Sequence, residues 1–257
     1  VVALSIDNVQ TGYRNQIYPV TLPDKSRLNL LYYKAGFTAL PAVQAANYFG
    51  DYAARQGLPA RQLADARILV LRRKQFEQYA CLYSYLPGTT IPWEAYTLDH
   101  IPLIGKVLAK LHQSTQSAQF ETPQVKTVCQ RLANAMSLYF KDAGVMLAMI
   151  QKLQVTFEQK QLPKFFKLWI FSNEPRQLLH MDFVRGNLLF AKARPNDFWS
   201  EGKVRLSGII DFEKVATGPV VFDVARTLAF LLVDCKYNSA EQVEKYFITS
   251  GYYKRGG

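Results

Sequence analysis

A Pro-Gly pair at residues 87–88 divides this chain into two stretches with different hydrophobic periods. Before it, short apolar and β-prone runs at 1–9, 16–21, 28–34, 67–71 and 79–86 are separated by turn residues such as Thr11-Gly12 and Pro23-Asp24. One helical run interrupts them at 39–56, alanine-rich, with Gly57 as its stop and Pro59 beyond. The expected order is βββαββ. After the pair, apolar residues recur at helical spacing (Ile101, Ile104, Leu108 and Leu111). Helices are expected at 98–113, 125–159 and 164–172, short strands at 187–191 and 204–210, and closing helices at 220–234 and 240–250. Such a chain folds as α+β in two lobes. A small antiparallel β lobe with one helix spans residues 1–84, and a larger mainly helical lobe spans 85–257, with a cleft between them.

Composition narrows the function classes. The three cysteines, Cys81, Cys129 and Cys235, are scattered, odd in number and form no CxxC pair, so neither a disulfide framework nor a zinc site is expected. Buried thiols in a reducing cytoplasm are the expectation. The most apolar run, 227–233, is bounded by Arg226 and Asp234 and is far shorter than the ~20 residues of a membrane helix, so no membrane partner is expected. No basic, apolar leader opens the chain, and its first residue is not methionine, so it is read as processed or cut from something longer. The formal net charge is +11, but the lysines and arginines are dispersed and the densest cluster is only Arg72-Arg73-Lys74. Nucleic acid is therefore not the expected partner.

The chemistry is concentrated in Leu179-His180-Met181-Asp182-Phe183-Val184-Arg185-Gly186-Asn187-Leu188-Leu189-Phe190, followed by Ser207-Gly208-Ile209-Ile210-Asp211-Phe212-Glu213. An aspartate stands five positions before an asparagine in a loop that runs into an apolar strand. A second aspartate ends another apolar strand. Phosphoryl transfer needs such parts, because its loose transition state is served by positioning and charge neutralisation rather than by covalent chemistry. Asp182 fits the group that orients an acceptor hydroxyl and takes its proton. Asn187 offers an amide oxygen and Asp211 a carboxylate, the hard oxygen ligands that magnesium takes alongside phosphates and water.

The pattern His-x-Asp-x-x-x-x-Asn, then Ile-Asp-Phe, resembles the catalytic and magnesium-binding motifs of the aminoglycoside phosphotransferase and choline kinase superfamily, which shares the protein-kinase-like fold. Gly218-Pro219-Val220-Val221-Phe222-Asp223-Val224-Ala225 is similar to that family's Gly-x-x-x-x-Asp-Leu-Ala, and Leu86-Pro87-Gly88 and Leu111-His112 lie where the family places a hinge and a helix end. The resemblance implies an ATP- and magnesium-dependent kinase acting on a hydroxyl of a small molecule, with Asp182 as catalytic base and Asn187 and Asp211 as metal ligands. It implies that His180 braces the loop and that Asp223 accepts backbone N–H groups from it. Leu189 and Ile210 would pack under adenine, with the backbone of Ser84 to Leu86 at its edge. The turn at 11–20, with Asn15, would cover the nucleotide, and Lys34 would pair its phosphates.

Two departures stand out. The helix glutamate that usually holds the lysine is missing, leaving Gln44, Asn47 or Asp51 to stand in, and the family's further C-terminal helices do not follow 257, so the second lobe is read as a fragment or a minimal variant. Glu213 replaces the glycine of a protein-kinase Asp-Phe-Gly. The alternative reading is a nucleotide-binding pseudokinase or regulatory module without turnover, against which the intact Asp182, Asn187 and Asp211 weigh. Acceptor identity, ATP against GTP, and oligomeric state stay open at this level.

Overall fold

The computed structural model describes residues 5–7, 10–11, 15–36, 38–73, 76–92, 95–125, 127–128, 174–235 and 237–254. The helical expectation for 164–172 and most of that for 125–159 fall outside these residues, as does Cys129.

Six strands form the first sheet: β1 (Ser5–Ile6), β2 (Gln10–Thr11), β3 (Gln16–Thr21), β4 (Arg27–Tyr32), β5 (Leu69–Arg73) and β6 (Phe76–Ser84). Their order is β1-β3-β4-β6-β5, with β2 also on β3, and every pairing is antiparallel. Within the run read as one strand at 1–9 the described residues carry β1, with β2 just past it, and the last hairpin sits two or three residues from its expected bounds. One face of the sheet buries Leu31, Tyr33, Tyr79, Cys81 and Tyr83 against α1 (Leu40–Arg55). That helix has a proline in its first turn and presents Val43, Ala46, Asn47, Gly50 and Ala53 at three- and four-residue spacing. Gly57, at φ +83°, ends it in a left-handed conformation that favours glycine.

The chain then returns through Pro59-Ala60-Arg61 and docks on the second lobe: Ile209 N–H donates to Pro59 O at 2.7 Å, and Arg61 N–H to Ile209 O at 2.8 Å. A Cβ on Gly50 would lie 2.6 Å from Arg61 O, which shows how closely α1 meets this segment.

Gly88, at φ +115°, is the crossing point between the lobes. A side chain there would strike Ser207 Oγ and Phe190 O, so the Pro-Gly break lets the backbone pass against the second lobe.

In that lobe, α2 (His100–Ser114) is buried along Ile101, Ile104, Leu108 and Leu111, as its spacing predicts. Beyond the undescribed span lie β7 (Gln177–Leu179), β8 (Leu188–Lys192), β9 (Ser200–Glu201), β10 (Val204–Ile209) and β11 (Ala216–Gly218). They form a β8-β10-β9 sheet and a β11-β7 pair. The described chain closes with α3 (Val221–Asp234), α4 (Ala240–Glu244) and a π-helical segment, Lys245–Tyr252. Gly105 of α2 lets that segment approach, since a Cβ there would meet Phe247 O.

Candidate active site

The loop from β7 to β8 is held by one buried side chain. Asp223, in the first turn of α3 and 1% exposed, accepts Met181 N–H at 2.6 Å and His180 N–H at 2.8 Å, and faces His112 Nε2 at 3.2 Å. His112 in turn meets the Tyr252 hydroxyl at 2.8 Å. Met181 sits at φ 59°, a left-handed conformation that costs an ordinary residue about 1–2 kcal/mol; the two bonds from Asp223 stabilise it. This turn sends Asp182 toward the cleft. His180 is fully buried between Phe183 and Phe212, with Nε2 3.2 Å from Ile210 O. Burial depresses its pKa despite the nearby acids, so it packs as a neutral ring. This is the bracing place expected for it.

Asp182 and Asn187 are in contact. Asn187 Nδ2 donates to the Asp182 carbonyl at 2.9 Å and to Asp182 Oδ2 at 3.0 Å. The amide nitrogen is thus committed to Asp182 and the amide oxygen turns away from it. Ile210 N–H donates to Asn187 O at 2.9 Å, which brings Asp211 beside Asn187. Asp211 follows β10 at φ 60°. The Glu213 carboxyl lies next to it; burial and then the Asp211 charge push Glu213 up to about 7, against the opposing charge of Arg61 and a hydrogen bond from Asn15. Two crowded carboxyls and an outward amide oxygen make a hard-oxygen donor set that fits magnesium. Among the described residues no group of three or more His, Cys, Asp or Glu forms a metal cluster. Any metal here therefore takes part of its shell from elsewhere, as magnesium does with nucleotide phosphates.

The remaining residues singled out in the sequence lie on both lobes. Asn15 Nδ2 donates to Glu213 Oε1, and Asn15 Oδ1 accepts Lys34 N–H at 3.2 Å. Ser84 ends β6, with its N–H on Gln62 O, and Leu86 follows in the crossing segment. Leu189 packs over Gly208, and Ile210 links Asn187 to His180. Lys34 is exposed just past β4, and the position facing α1 is Tyr33.

Two of the proposed stand-ins for the missing glutamate are bonded to other groups. Asn47 bonds the Tyr83 hydroxyl and Cys81 Sγ, and Asp51 accepts Leu63 N–H at 2.7 Å. In place of an ion pair, the interior between α1 and the sheet holds a polar chain. It runs from Asn47 through the Tyr83 and Tyr33 hydroxyls to Arg61, whose guanidinium lies over the Tyr83 ring. Burial disfavours that charge, but Tyr83, Tyr33, Glu213 and Asp211 outweigh it and hold Arg61 protonated.

Two residues at the centre of the site were not singled out in the sequence. Lys214 Nζ donates to Asp182 Oδ2 at 2.7 Å and Arg226 Nη2 to Asp182 Oδ1 at 2.9 Å. Burial pushes the Asp182 carboxyl up, but these bonds and charges outweigh it and its pKa is lowered. A signal for Arg226 existed: three residues after Asp223, it falls on the same helix face.

A sequence profile described as the phosphotransferase enzyme family matches residues 5–254. The chain belongs to the phosphotransferase enzyme family. Homoserine kinase of Paraburkholderia phymatum is 26% identical to this phosphotransferase over 137 residues, 52% of this chain and 39% of the relative. The chain thus spans well under half the length of that curated relative. Among solved structures, a microcompartment-associated aminopropanol kinase superposes with a TM-score of 0.68 at 15% identity, covering 98% of this chain and 76% of the other. The amicoumacin kinase hAmiN, in complex with AMP-PNP, Ca2+ and Ami, superposes with a TM-score of 0.61 at 13% identity, covering 98% and 73%. A thermostable aminoglycoside phosphotransferase APH(4)-Ia with AMP-PNP and hygromycin B gives 0.59 at 15%, covering 95% and 78%. These likenesses show the fold, which is bilobal, α+β and kinase-like. No helix among the described residues is long and apolar enough to cross a membrane.

Proposed function

We propose that this phosphotransferase moves the γ-phosphoryl group of ATP, with magnesium, to a hydroxyl of a small molecule. The observation that carries the reading is the contact of Asp182 with Asn187, with Asp211 brought alongside by the Ile210–Asn187 bond. Asp182 orients the acceptor hydroxyl and receives its proton as the acceptor oxygen bonds to phosphorus; the bond from phosphorus to the β–γ bridging oxygen breaks and ADP leaves. Asn187 and Asp211 are the residues that would hold magnesium, which supplies charge neutralisation on the phosphate oxygens when bound. Adenine would lie between the Ser84–Leu86 backbone, Leu189 and Ile210. Asn15 and Lys34 would border the phosphates from the first lobe, taken as residues 1–84, with 85–257 as the acceptor lobe. The nucleotide analogues and Ca2+ named with the structural neighbours support nucleotide use, and the homoserine and aminopropanol kinases support an alcohol acceptor.

The test is ADP release across a panel of amino alcohols, hydroxy acids, sugars and aminoglycosides, with Asp182→Asn as control. Loss of a positioned base lowers kcat by about 10²–10⁴, and chelation of magnesium abolishes turnover. Metal-independent ATP binding with no transfer to any acceptor would favour the pseudokinase reading instead.

A further inference from the structure

Asp182 is not presented bare to an incoming acceptor. It is 7% exposed, and each of its oxygens holds a cation: Lys214 Nζ at 2.7 Å on Oδ2 and Arg226 Nη2 at 2.9 Å on Oδ1. The two cations come from different segments, one just after Asp211-Phe212-Glu213 and the other from α3. Their side chains are 39% and 29% exposed against 10% for that of Asp182. A molecule bringing its hydroxyl to Asp182 therefore meets an ammonium and a guanidinium first. On the Asp182 carboxylate itself one acid meets two bases. Arg226 Nε is buried and without a hydrogen-bond partner among the described residues, so the end of the guanidinium that carries Nη2 is the part that meets an incoming group. Its planar face is backed by the Phe230 ring, 5.2 Å away and one helical turn on. A partly exposed guanidinium, backed by a ring and paired with a lysine, is matched to an oxyanion and repels a polycation.

We propose that Lys214 and Arg226 form an oxyanion subsite beside Asp182, and that the acceptor is a hydroxyl compound carrying a carboxylate or phosphate group. An incoming oxyanion takes over hydrogen bonds now made by Asp182. One carboxylate–cation contact is exchanged for another, and the Asp182 oxygens become available to the acceptor hydroxyl. The same two residues would thus select the acceptor and release the group that orients it. The inference rests on the reading of Asp182 as the acceptor-facing base.

Matched acceptors that differ only in the anion test it. L-homoserine is compared with 3-aminopropan-1-ol, D-glycerate with ethylene glycol, and glycerol 3-phosphate with glycerol, each by the ratio of kcat/KM within the pair. The wild-type ratio is expected to favour the anionic member by at least about 100-fold in one pair, because a neutral member leaves both cations on Asp182 and that carboxylate engaged. Preference in the first two pairs assigns a carboxylate, and preference in the third alone a phosphate. Lys214→Gln and Arg226→Gln are each expected to lower that ratio about 10- to 100-fold through KM, with Arg226→Lys intermediate.

A ratio that stays constant while both members slow down equally makes the two residues mere supports of Asp182 and overturns the proposal. A wild-type preference for the uncharged members overturns it too, while leaving phosphoryl transfer standing. If nothing in the panel is turned over, calorimetry with L-homoserine, D-glycerate and glycerol 3-phosphate on the AMP-PNP-loaded protein decides. Binding that Arg226→Gln abolishes upholds the subsite while the transfer reading fails, and no binding by any of them overturns the subsite.

Discussion

The substitution Asp223→Asn separates the scaffold of this site from its chemistry. Asp223 places one oxygen on Met181 N–H and the other on His180 N–H and His112 Nε2. Asparagine keeps one accepting oxygen and points an NH₂ group at whichever donor faced the other. A buried N–H left without an acceptor costs about 1–3 kcal/mol, and hydrogen bonds to a charged acceptor are worth about 1.5–3 kcal/mol each. With the left-handed Met181 also losing support, a total of about 3–5 kcal/mol follows. For a domain of this size 1 kcal/mol shifts Tm by about 2–4 °C, so the expected fall is on the order of 10 °C. Differential scanning fluorimetry or circular dichroism measures it, with Asp234→Asn as comparison, because Asp234 makes a single, more exposed pair with Arg185. If Asp223→Asn melts within about 2 °C of the wild type, the left-handed turn at Met181 is held by something other than this carboxylate, and the account of how Asp182 is aimed fails.

Three further outcomes follow from the same structure. Burial keeps the pKa of His180 and of His100 below the ordinary value of 6.5. For these two groups the unfolded chain binds protons first, so their contribution falls as the pH drops below about 6.5, whereas the Glu213 carboxyl, raised to about 7, adds stability over the same fall; in Glu213→Gln, which removes that opposing contribution, urea midpoints at pH 7.5, 6.0 and 5.0 should decline in that order. Tyr33→Phe removes the hydroxyl joining Tyr83 to Arg61 and is expected to cost about 1–2 kcal/mol, visible as a Tm lower by a few degrees; an unchanged Tm would mean the polar chain contributes nothing net. Gly88→Ala forces a Cβ against Phe190 O and Ser207 Oγ at a positive φ, with an expected loss of about 1–3 kcal/mol and weaker nucleotide binding by titration calorimetry.

Much of the frame was readable from pattern. The helical period of α2, the β-prone runs on either side of α1 and the Pro-Gly crossing all correspond to structure because each is a local signal repeated over many residues. The Asp182–Asn187 contact was readable for another reason, since five residues in one loop fix the distance chemically. The three-residue pair β7–β11, which starts the loop, is too short to show a period and depends on residues nearly forty apart. Arg61 reads as an ordinary surface arginine in a loop; only the return of 59–61 onto Ile209 buries it. Lys34 illustrates the converse. It follows a strand as the resemblance requires, and the alternation leaves Tyr33 buried in the cluster against α1 and Lys34 exposed.

That alternation has a consequence for how the two lobes are joined. Arg61 is a cation that the first lobe directs toward Asp211 and Glu213, carried by the same segment whose backbone bonds Ile209. From the opposite side Asn15 bonds Glu213. The two contacts therefore grip the chain two residues before and two residues after Asp211, while Phe212 is wedged edge-on against Phe49 of α1 and tilted against His180. Any hinge motion at Gly88 that separates the lobes must break these contacts or drag Asp211 with it. Asp211 has little slack to absorb such a pull, being held at φ 60° between a strand end and a buried phenylalanine. Movement of the first lobe and placement of the candidate metal ligand are thus mechanically one event. On the acceptor side Asp182 and Arg226 are anchored through Asp223 and α3, while Lys214 directly follows the gripped Glu213. Perturbations of Asn15 or Arg61 should then act on nucleotide and metal together, and those of Lys214 or Arg226 on the acceptor.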